Sequence, residues 1–278
     1  MQKSDLAALL TDLVSNSPDN FVSAELALAP ELTGMKIFDE PLIGVAASFD
    51  KYFAKMQEPH IVGPHFVLPT EWLEEAQSVV SFFFPFTDVV KLSNRTDMSR
   101  PSNEWLHARI EGQTFLAKTF TRLKQWLAAE GHACVVPFLD ERFSTKSPFT
   151  ADKTMQSFYT SNWSERHVAH ICGLGTFGLS KGLITEKGIA GRFASFITDT
   201  NIQPDARPYT THDAYCTRCG ACARNCPVNA ISLEEGKKHP ICSSFLDQTM
   251  GQHRPRYGCG KCQVKVPCES RIPPTRRI

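Results

Sequence analysis

Eight of the ten cysteines lie in the last quarter of the chain, at spacings that are typical of iron–sulfur proteins. Four of them follow the pattern Cys216-x2-Cys219-x2-Cys222-x3-Cys226, with Pro227 directly after. This is the bacterial ferredoxin spacing, in which three thiolates hold one 4Fe–4S cluster and the fourth holds a second cluster. The sequence therefore predicts two clusters and a role in electron transfer.

Four further cysteines complete the ligands, so that the eight thiolates divide into two sets of four. Because the fourth cysteine of the motif serves the other cluster, we expect the sets to cross in sequence. Cluster site 1 is predicted to consist of Cys216, Cys219, Cys222 and Cys268. Cluster site 2 is predicted to consist of Cys226, Cys242, Cys259 and Cys262.

Two other uses of these cysteines are weaker. A zinc site built from the CxxC pairs that begin at Cys216 and Cys259 leaves four cysteines unexplained. A disulfide scaffold requires an oxidising compartment. Asp5 and Asp12 stand where a signal peptide is apolar, and no apolar run reaches the ~20 residues of a membrane span. We therefore expect a cytoplasmic protein that does not interact with membranes.

The near-neutral chain, with a net charge of +1, is divided into an acidic and a basic part. From Ala206 onwards twelve Lys and Arg residues stand against five Asp and Glu, whereas the first 205 residues have 18 against 24. Two oxidised clusters with four thiolates each carry about −4 in total. The basic segment is therefore expected to compensate the clusters, and binding of nucleic acid is not expected.

Hydrophobic periodicity predicts the elements that must position the clusters. Helices are predicted at residues 4–15, 71–77, 103–130 and 163–171, and strands at 42–49, 79–86, 133–138 and 192–198. This alternation indicates a layered α/β or α+β domain over residues 1–205. A linker is predicted at residues 204–211. The second domain, predicted at residues 206–278, has too few large apolar side chains to fold without bound metal.

Gly173, Gly175 and Gly178 match the G-x-G-x-x-G pattern, and Asp199 follows about 20 residues later. A dinucleotide-binding fingerprint requires a strand before the glycines and a helix after them. Here the preceding residues have a helical pattern, and further glycines interrupt any helix that follows. The motif therefore does not predict nicotinamide binding.

Three stretches together resemble a known family: SVVSFFFPF, GLGTFGLSKGLITEKGIAGRFASFITD, and CTRCGACARNCPVNAI followed by Cys242 and YGCGKCQ. They are similar to epoxyqueuosine reductases and to the core of the reductive dehalogenases, over roughly residues 78–268. The resemblance implies an α+β fold in which a layered, nitroreductase-like, cobalamin-binding domain precedes a ferredoxin-like domain with two 4Fe–4S clusters.

The resemblance also implies where a corrinoid would bind. In that family the segment equivalent to residues 173–199 helps to form the corrinoid pocket, and glycines would let the backbone approach the planar macrocycle closely. The cofactor-binding residues implied for this chain are Gly173, Leu174, Gly175, Gly178, Arg192, Thr198 and Asp199.

The sequence departs from the family pattern at three points. A gap-free count places Tyr159 where epoxyqueuosine reductases carry a catalytic aspartate, and Asp152 reaches that position only through an insertion. Tyr159 is the candidate proton donor, although a core tyrosine explains the residue equally well. The last ligand motif is Cys259-x2-Cys262-x5-Cys268, and the helical-repeat tail that engages transfer RNA is not found after Ile278, which indicates a short form.

The sequence thus predicts an oxidoreductase that relays electrons through two 4Fe–4S clusters to a bound cobalamin. An external donor of the ferredoxin or flavodoxin type would supply the electrons, and a small molecule would be the substrate. In an alternative, the protein has no small-molecule substrate and reductively activates a partner corrinoid protein. In a third, the α/β domain binds a flavin or no cofactor.

Overall fold

The computed structural model describes residues 2–146 and 160–274, so Tyr159 and Asp152 lie outside the described residues. The helices are α1 Lys3–Asn16, α2 Lys51–Lys55, α3 Pro69–Trp72, α4 Asp88–Ser93, α5 Asn103–Ala129, α6 Glu165–Ile171, α7 Ala221–Arg224 and α8 His239–His253. The strands are β1 Leu42–Ala47, β2 Ser78–Pro85, β3 Cys134–Val135, β4 Thr145–Lys146, β5 Thr160–Ser161, β6 Gly175–Phe177, β7 Leu183–Thr185, β8 Gly191–Thr198, β9 Ile231–Ser232 and β10 Gly236–Lys237.

One antiparallel sheet, with the strand order β1-β2-β8-β3, positions the other elements. β2 pairs with β8 along its whole length, from Ser78 opposite Thr198 to Pro85 opposite Gly191. All eight residues of β2 are buried because both faces of the sheet are covered. This double burial explains why the strand is a nearly continuous apolar run rather than an alternating one.

The long helix α5 covers one face of the sheet. Its residues Phe115 and Phe120 pack edge-on against Phe84 and Phe82, with ring centroids 6.2 and 5.4 Å apart. The Ser102 side chain caps the helix by accepting a hydrogen bond from the Trp105 amide. Charged residues line its outer side, and within the described ranges no helix is long and apolar enough to cross a bilayer.

The other face is covered by α6 and by the segment that leads into it. The Trp163 ring is fully buried and stacks against Phe53 and Phe66. Val168 and Ile171 of α6 complete this apolar cluster against the sheet. The sheet therefore has a helix on each face, with α5 on one side and α6 on the other, as a layered domain requires.

Two predicted elements are wrong in their extent. The helix expected at residues 71–77 is α3, which begins at Pro69 and ends at Trp72, because Leu73 adopts extended backbone angles. The strand expected at 133–138 contains only Cys134 and Val135. Pro137 starts a 3-10 helix there, and proline has no N–H to donate to a strand partner. The other predicted helices and strands are confirmed to within about two residues at each end.

Two ion pairs attach the cysteine-rich segment to the α/β part. Arg256 donates to both carboxylate oxygens of Glu111 on α5, and both side chains are nearly buried. Arg95, just after α4, pairs in the same way with Glu269. Each planar guanidinium matches a carboxylate in a two-point contact, which fixes orientation as well as distance.

The predicted linker is held against the α/β part at its start. Asp205 accepts hydrogen bonds from the Val45 amide and from Lys3. Arg207 donates to Asp50 and to the Ile171 carbonyl. The domain boundary between residues 205 and 206 stays a prediction, and it falls in a segment without regular secondary structure.

Replacing Glu111 with Ala leaves the Arg256 guanidinium buried without its carboxylate. We expect a loss of about 3–5 kcal/mol in the free energy of unfolding, because a buried charge loses its partner. Urea unfolding under anaerobic conditions measures this loss. Glu130→Ala, which removes an exposed carboxylate just after the same helix, is the control and should change stability by less than about 0.5 kcal/mol. Equal effects of the two substitutions would contradict the role of the pair.

Candidate iron–sulfur centre

Cluster site 1 is a pocket in which the four predicted cysteines converge. The pKa of the Cys268 thiol is raised to about 12, mainly by burial, with smaller contributions from the neighbouring thiols of Cys222, Cys216 and Cys219. Such thiols are protonated at neutral pH, so a metal must displace their protons in order to bind. The thiolate ligands therefore form together with the metal site.

A hairpin of the α/β part forms one wall of site 1. The hairpin consists of β6 and β7, and Gly178, Leu179, Ser180 and Ile184 from it line the pocket. The Thr176 hydroxyl accepts a hydrogen bond from the Tyr215 amide, directly before Cys216. The segment with the G-x-G-x-x-G pattern thus lies beside the cysteine-rich segment.

Cluster site 2 brings together the other four cysteines. Burial raises the pKa of Cys262, and Cys242 and Cys226 contribute to the rise. Burial also raises the pKa of Cys259 to about 12, with contributions from Cys262 and Cys242 against an opposing hydrogen bond from the Lys261 backbone. These contributions place Cys242 near both Cys259 and Cys262, and Cys226 near Cys262.

The loop at site 2 is packed against α5 of the α/β part. Gly260 has φ +69°, and a Cβ at this position would lie 2.0 Å from the Trp105 ring. Only glycine fits both the backbone angle and the contact. The Asn94 amide donates to the Cys259 carbonyl at 2.9 Å. The position of site 2 is therefore set by α5 and by the end of α4.

The zinc alternative required the two CxxC pairs to converge on one ion. The structure instead places Cys216 and Cys219 in the site 1 pocket, which includes neither Cys259 nor Cys262. Within residues 2–146 and 160–274, no three His, Cys, Asp or Glu side chains lie close enough to hold a single metal ion. The ligands of a 4Fe–4S cluster need not converge on one ion, since each thiolate binds a different iron atom.

The three glycines of the motif have packing roles in the described structure. A Cβ on Gly175 would lie 2.0 Å from the Ile184 carbonyl oxygen, and one on Gly173 would lie 3.0 Å from the Ala206 carbonyl oxygen. A Cβ on Gly178 would lie 3.3 Å from the Ile184 side chain. The close approach that these glycines permit is to the chain itself, so they do not form an open cradle for a macrocycle.

The remaining residues implied for corrinoid binding are spread along β8. Arg192 lies near the start of the strand and donates to Gln113 of α5. Thr198 lies at its end, about 20 Å away at the ordinary rise per residue. Asp199 accepts a hydrogen bond from the Ala133 amide. Leu174 is buried against Phe83 and Leu183. The structure therefore does not bring the implied set together at one point.

A buried acid that the sequence analysis missed lies on α6. The Trp163 indole donates to the Ser195 hydroxyl at 2.8 Å, and this hydroxyl donates to Glu165 Oε2 at 2.7 Å. Glu165 Oε1 is buried and has no hydrogen-bond partner among the described residues. Burial raises the pKa of Glu165 to about 8, against the Ser195 hydrogen bond. Glu165 therefore holds a proton at neutral pH.

The two histidines of α6 are neutral and have structural partners. Burial lowers the pKa of His167 to about 4, and Arg166 and His170 lower it further. His167 Nδ1 lies 2.7 Å from the Ser164 hydroxyl. Burial also lowers the pKa of His170, and its Nδ1 donates to the Gly175 carbonyl at 2.8 Å. These contacts attach the β6–β7 hairpin to α6.

Comparison with known proteins supports the iron–sulfur interpretation. Residues 209–232 match the family described as the 4Fe-4S binding domain. No curated protein sequence matches the chain. A selenomethionine-labelled epoxyqueuosine reductase is similar in structure, with a TM-score of 0.50 and 22% identity over 82% of this chain. The catabolic reductive dehalogenase NpRdhA in complex with 3-bromo-4-hydroxybenzoic acid has a TM-score of 0.53 and 13% identity over 83% of the chain.

The chain has the fold that these two kinds of reductase share. The family resemblance found in the sequence is therefore confirmed at the level of the fold. The chain spans 61% of the epoxyqueuosine reductase and 30% of the dehalogenase. The matched 4Fe-4S segment contains Cys216, Cys219, Cys222 and Cys226 of this chain.

Gly175→Ala should disrupt site 1, because the added Cβ would displace the β6–β7 hairpin that forms its wall. We expect the iron content of anaerobically reconstituted protein to fall to about half, as cluster 1 is lost and cluster 2 is kept. Gly251→Ala is the matched control, since a Cβ there meets no atom within 4 Å. Full iron content in both variants would show that the hairpin contact does not support the site.

Glu165 should make the stability of the protein depend on pH. Its folded pKa of about 8 lies above the unfolded value near 4.5, so its contribution is complete below pH 4.5 and is lost as the pH rises to about 8. The shift corresponds to about 5 kcal/mol in the unfolding free energy. Glu165→Gln cannot titrate and should remove this decline, whereas the exposed Glu234→Gln should keep it. Parallel pH profiles for wild type and Glu165→Gln would refute the assignment.

Proposed function

We propose that this protein is an iron–sulfur oxidoreductase that carries 4Fe–4S clusters at sites 1 and 2. It would take single electrons from an external donor of the ferredoxin or flavodoxin type and deliver them to an acceptor at the α/β part. The observation that carries this proposal is the pocket in which Cys216, Cys219, Cys222 and Cys268 converge, with Cys242 and Cys226 near Cys262 outside it. The match to a 4Fe-4S binding domain and the shared reductase fold support it.

The two sites lie close enough to affect each other. Burial raises the pKa of the Cys222 thiol of site 1 to about 11, and the largest contribution from another thiol is that of Cys262 in site 2. Cys222 and Cys226, four residues apart, belong to different sites and connect them along the chain. Single electrons can therefore pass between the clusters, and site 1 lies directly against the α/β part.

A reaction that consumes two electrons also requires protons. The Glu165 carboxyl group, with its pKa raised to about 8 by burial, is protonated at neutral pH and lies on the face of the sheet that α6 covers. Trp163 and Ser195 orient this carboxyl group through their hydrogen bonds. Tyr159 stays the candidate predicted from the family resemblance. Glu165 is thus a buried carboxyl group that can hold a proton within the described part of the chain.

That cobalamin is the electron acceptor stays a prediction from the family resemblance. When bound, a corrinoid supplies a strongly nucleophilic and reducing cobalt centre. The described residues do not fit it at the predicted place, because the chain itself fills the space beside Gly173 and Gly175 and the other implied residues are spread along β8. We therefore assign no residue to the corrinoid and derive no step through it.

The close packing of the chain beside Gly173 and Gly175 favours the alternative in which the electrons pass to a partner protein. With the motif glycines closed against the chain, the acceptor can be a partner that docks from outside, such as a corrinoid protein that needs reductive activation. Anaerobic titration with hydroxocobalamin separates the two functions. Saturable binding followed by cobalt reduction supports a corrinoid bound within this protein. If no saturable binding occurs, the alternative of an electron carrier for an outside partner is supported.

Serine substitutions test whether there are two crossed clusters. Cys222→Ser should remove cluster 1, and Cys226→Ser should remove cluster 2, although the residues are four positions apart. Electron paramagnetic resonance of the reduced proteins should show a different remaining cluster in each variant. Cys134→Ser alters a buried cysteine outside both sites and should keep both signals. Loss of the same signal in Cys222→Ser and Cys226→Ser would contradict the assignment.

A further inference from the structure

A lysine is completely buried in the loop that supplies two ligands of site 2. Lys261 lies between Cys259 and Cys262, and its side chain has no solvent exposure. Its ammonium group donates to the backbone and side-chain oxygens of Asn94, at 2.7 and 2.6 Å. Lysine is almost never fully buried unless an opposite charge accompanies it. The environment of Lys261 should therefore contain a negative charge.

The described protein groups do not supply that charge at close range. Both hydrogen-bond acceptors are neutral oxygens of one residue, and no carboxylate within residues 2–146 or 160–274 forms an ion pair with Lys261. Asp97 interacts with Lys261 from a greater distance and is exposed, so that water screens it. Removing a charged group from water without compensation is strongly unfavourable.

We propose that the cluster at site 2 is the counter-charge of Lys261, and that Lys261 raises the reduction potential of this cluster. The inference rests on the proposed function, since it requires a cluster on Cys226, Cys242, Cys259 and Cys262. Each electron that a one-electron donor gives up makes the cluster more negative by one unit. A fixed positive charge in a region of low dielectric constant stabilises this reduced state.

Among the described residues that line the site 1 pocket, none is an equivalent buried cation. Arg218 is the charged residue among those that line its pocket, and its side chain is exposed to screening water. Cluster 2 should therefore accept the first electron and hold it. The second electron occupies cluster 1 at a lower potential, beside the β6–β7 hairpin. Lys261 is thus a positioning residue that sets the order in which the two clusters are reduced.

A redox titration of the anaerobically reconstituted full chain, followed by electron paramagnetic resonance at pH 7, tests the proposal. Lys261→Gln removes the charge and keeps a donor for Asn94. The equilibrium constant for reduction of cluster 2 should fall roughly tenfold or more, which corresponds to a potential about 59 mV lower. Lys261→Arg should keep the wild-type value. Lys265→Gln, an exposed lysine of the same segment, should shift the potential much less.

The outcomes separate this inference from the function on which it rests. An unchanged cluster 2 potential in Lys261→Gln, with two clusters present, overturns the inference and leaves the proposed function intact. Loss of cluster 2 in both Lys261→Gln and Lys261→Arg also overturns it, because shape and not charge would then matter. If only Lys261→Gln loses cluster 2, the counter-charge role is supported. A wild-type protein without a second cluster would instead refute the proposed function.

Discussion

In the function proposed here, the bonding of eight partly buried cysteine thiolates to iron is the interaction on which the second part of this protein depends. In the described part of residues 206–274, the buried apolar side chains are only Ala221, Ala230, Ile231 and Val264. A core of this size cannot offset the conformational entropy of a segment of this length. Under the proposed function, metal–thiolate bonds would supply the missing stability, as they do in other small metal-dependent domains. Folding of this segment and formation of the clusters would then be one process.

The α/β part provides the rigid surface against which the clusters are built. Trp105 on α5 receives the loop of site 2, and the β6–β7 hairpin forms a wall of site 1. Two arginine–glutamate pairs, of which Arg256–Glu111 is nearly buried, fix the orientation of the intervening chain. Electron transfer depends steeply on distance and on the surroundings of each cluster. Because both sites are anchored to one sheet and its helices, the distance between them and the surroundings of each site stay constant.

The cluster sites were predictable from sequence because their determinants are local. Cysteine spacing within a few residues decides which thiolates can reach one cubane, and Cys216, Cys219, Cys222 and the distant Cys268 line one pocket. The division of all eight cysteines between two clusters stays a prediction. The sheet and α5 were predictable for a similar reason, because burial on one or both faces leaves a periodic pattern. The end of α3 was not predictable from sequence, since it depends on the backbone angles of one residue, Leu73.

Other features depend on contacts between distant parts of the chain, which no local pattern records. Glu165 resembles an ordinary acid in the first turn of a helix, and only its packing against Ser195 of β8 raises its pKa. Lys261 resembles a surface lysine of a basic segment, but Asn94 holds it in the interior. The motif glycines matched a cofactor fingerprint, whereas their nearest neighbours are Ile184 and Ala206. In each case the tertiary environment, and not the residue type, determines the chemistry.

Anomalous diffraction at the iron edge, from crystals grown anaerobically after reconstitution, tests the central claim most directly. The account predicts two separate groups of iron peaks, one enclosed by Cys216, Cys219, Cys222 and Cys268 and the other by Cys226, Cys242, Cys259 and Cys262. A single peak between Cys216, Cys219, Cys259 and Cys262, or iron bound by any other division of the eight cysteines, would contradict it.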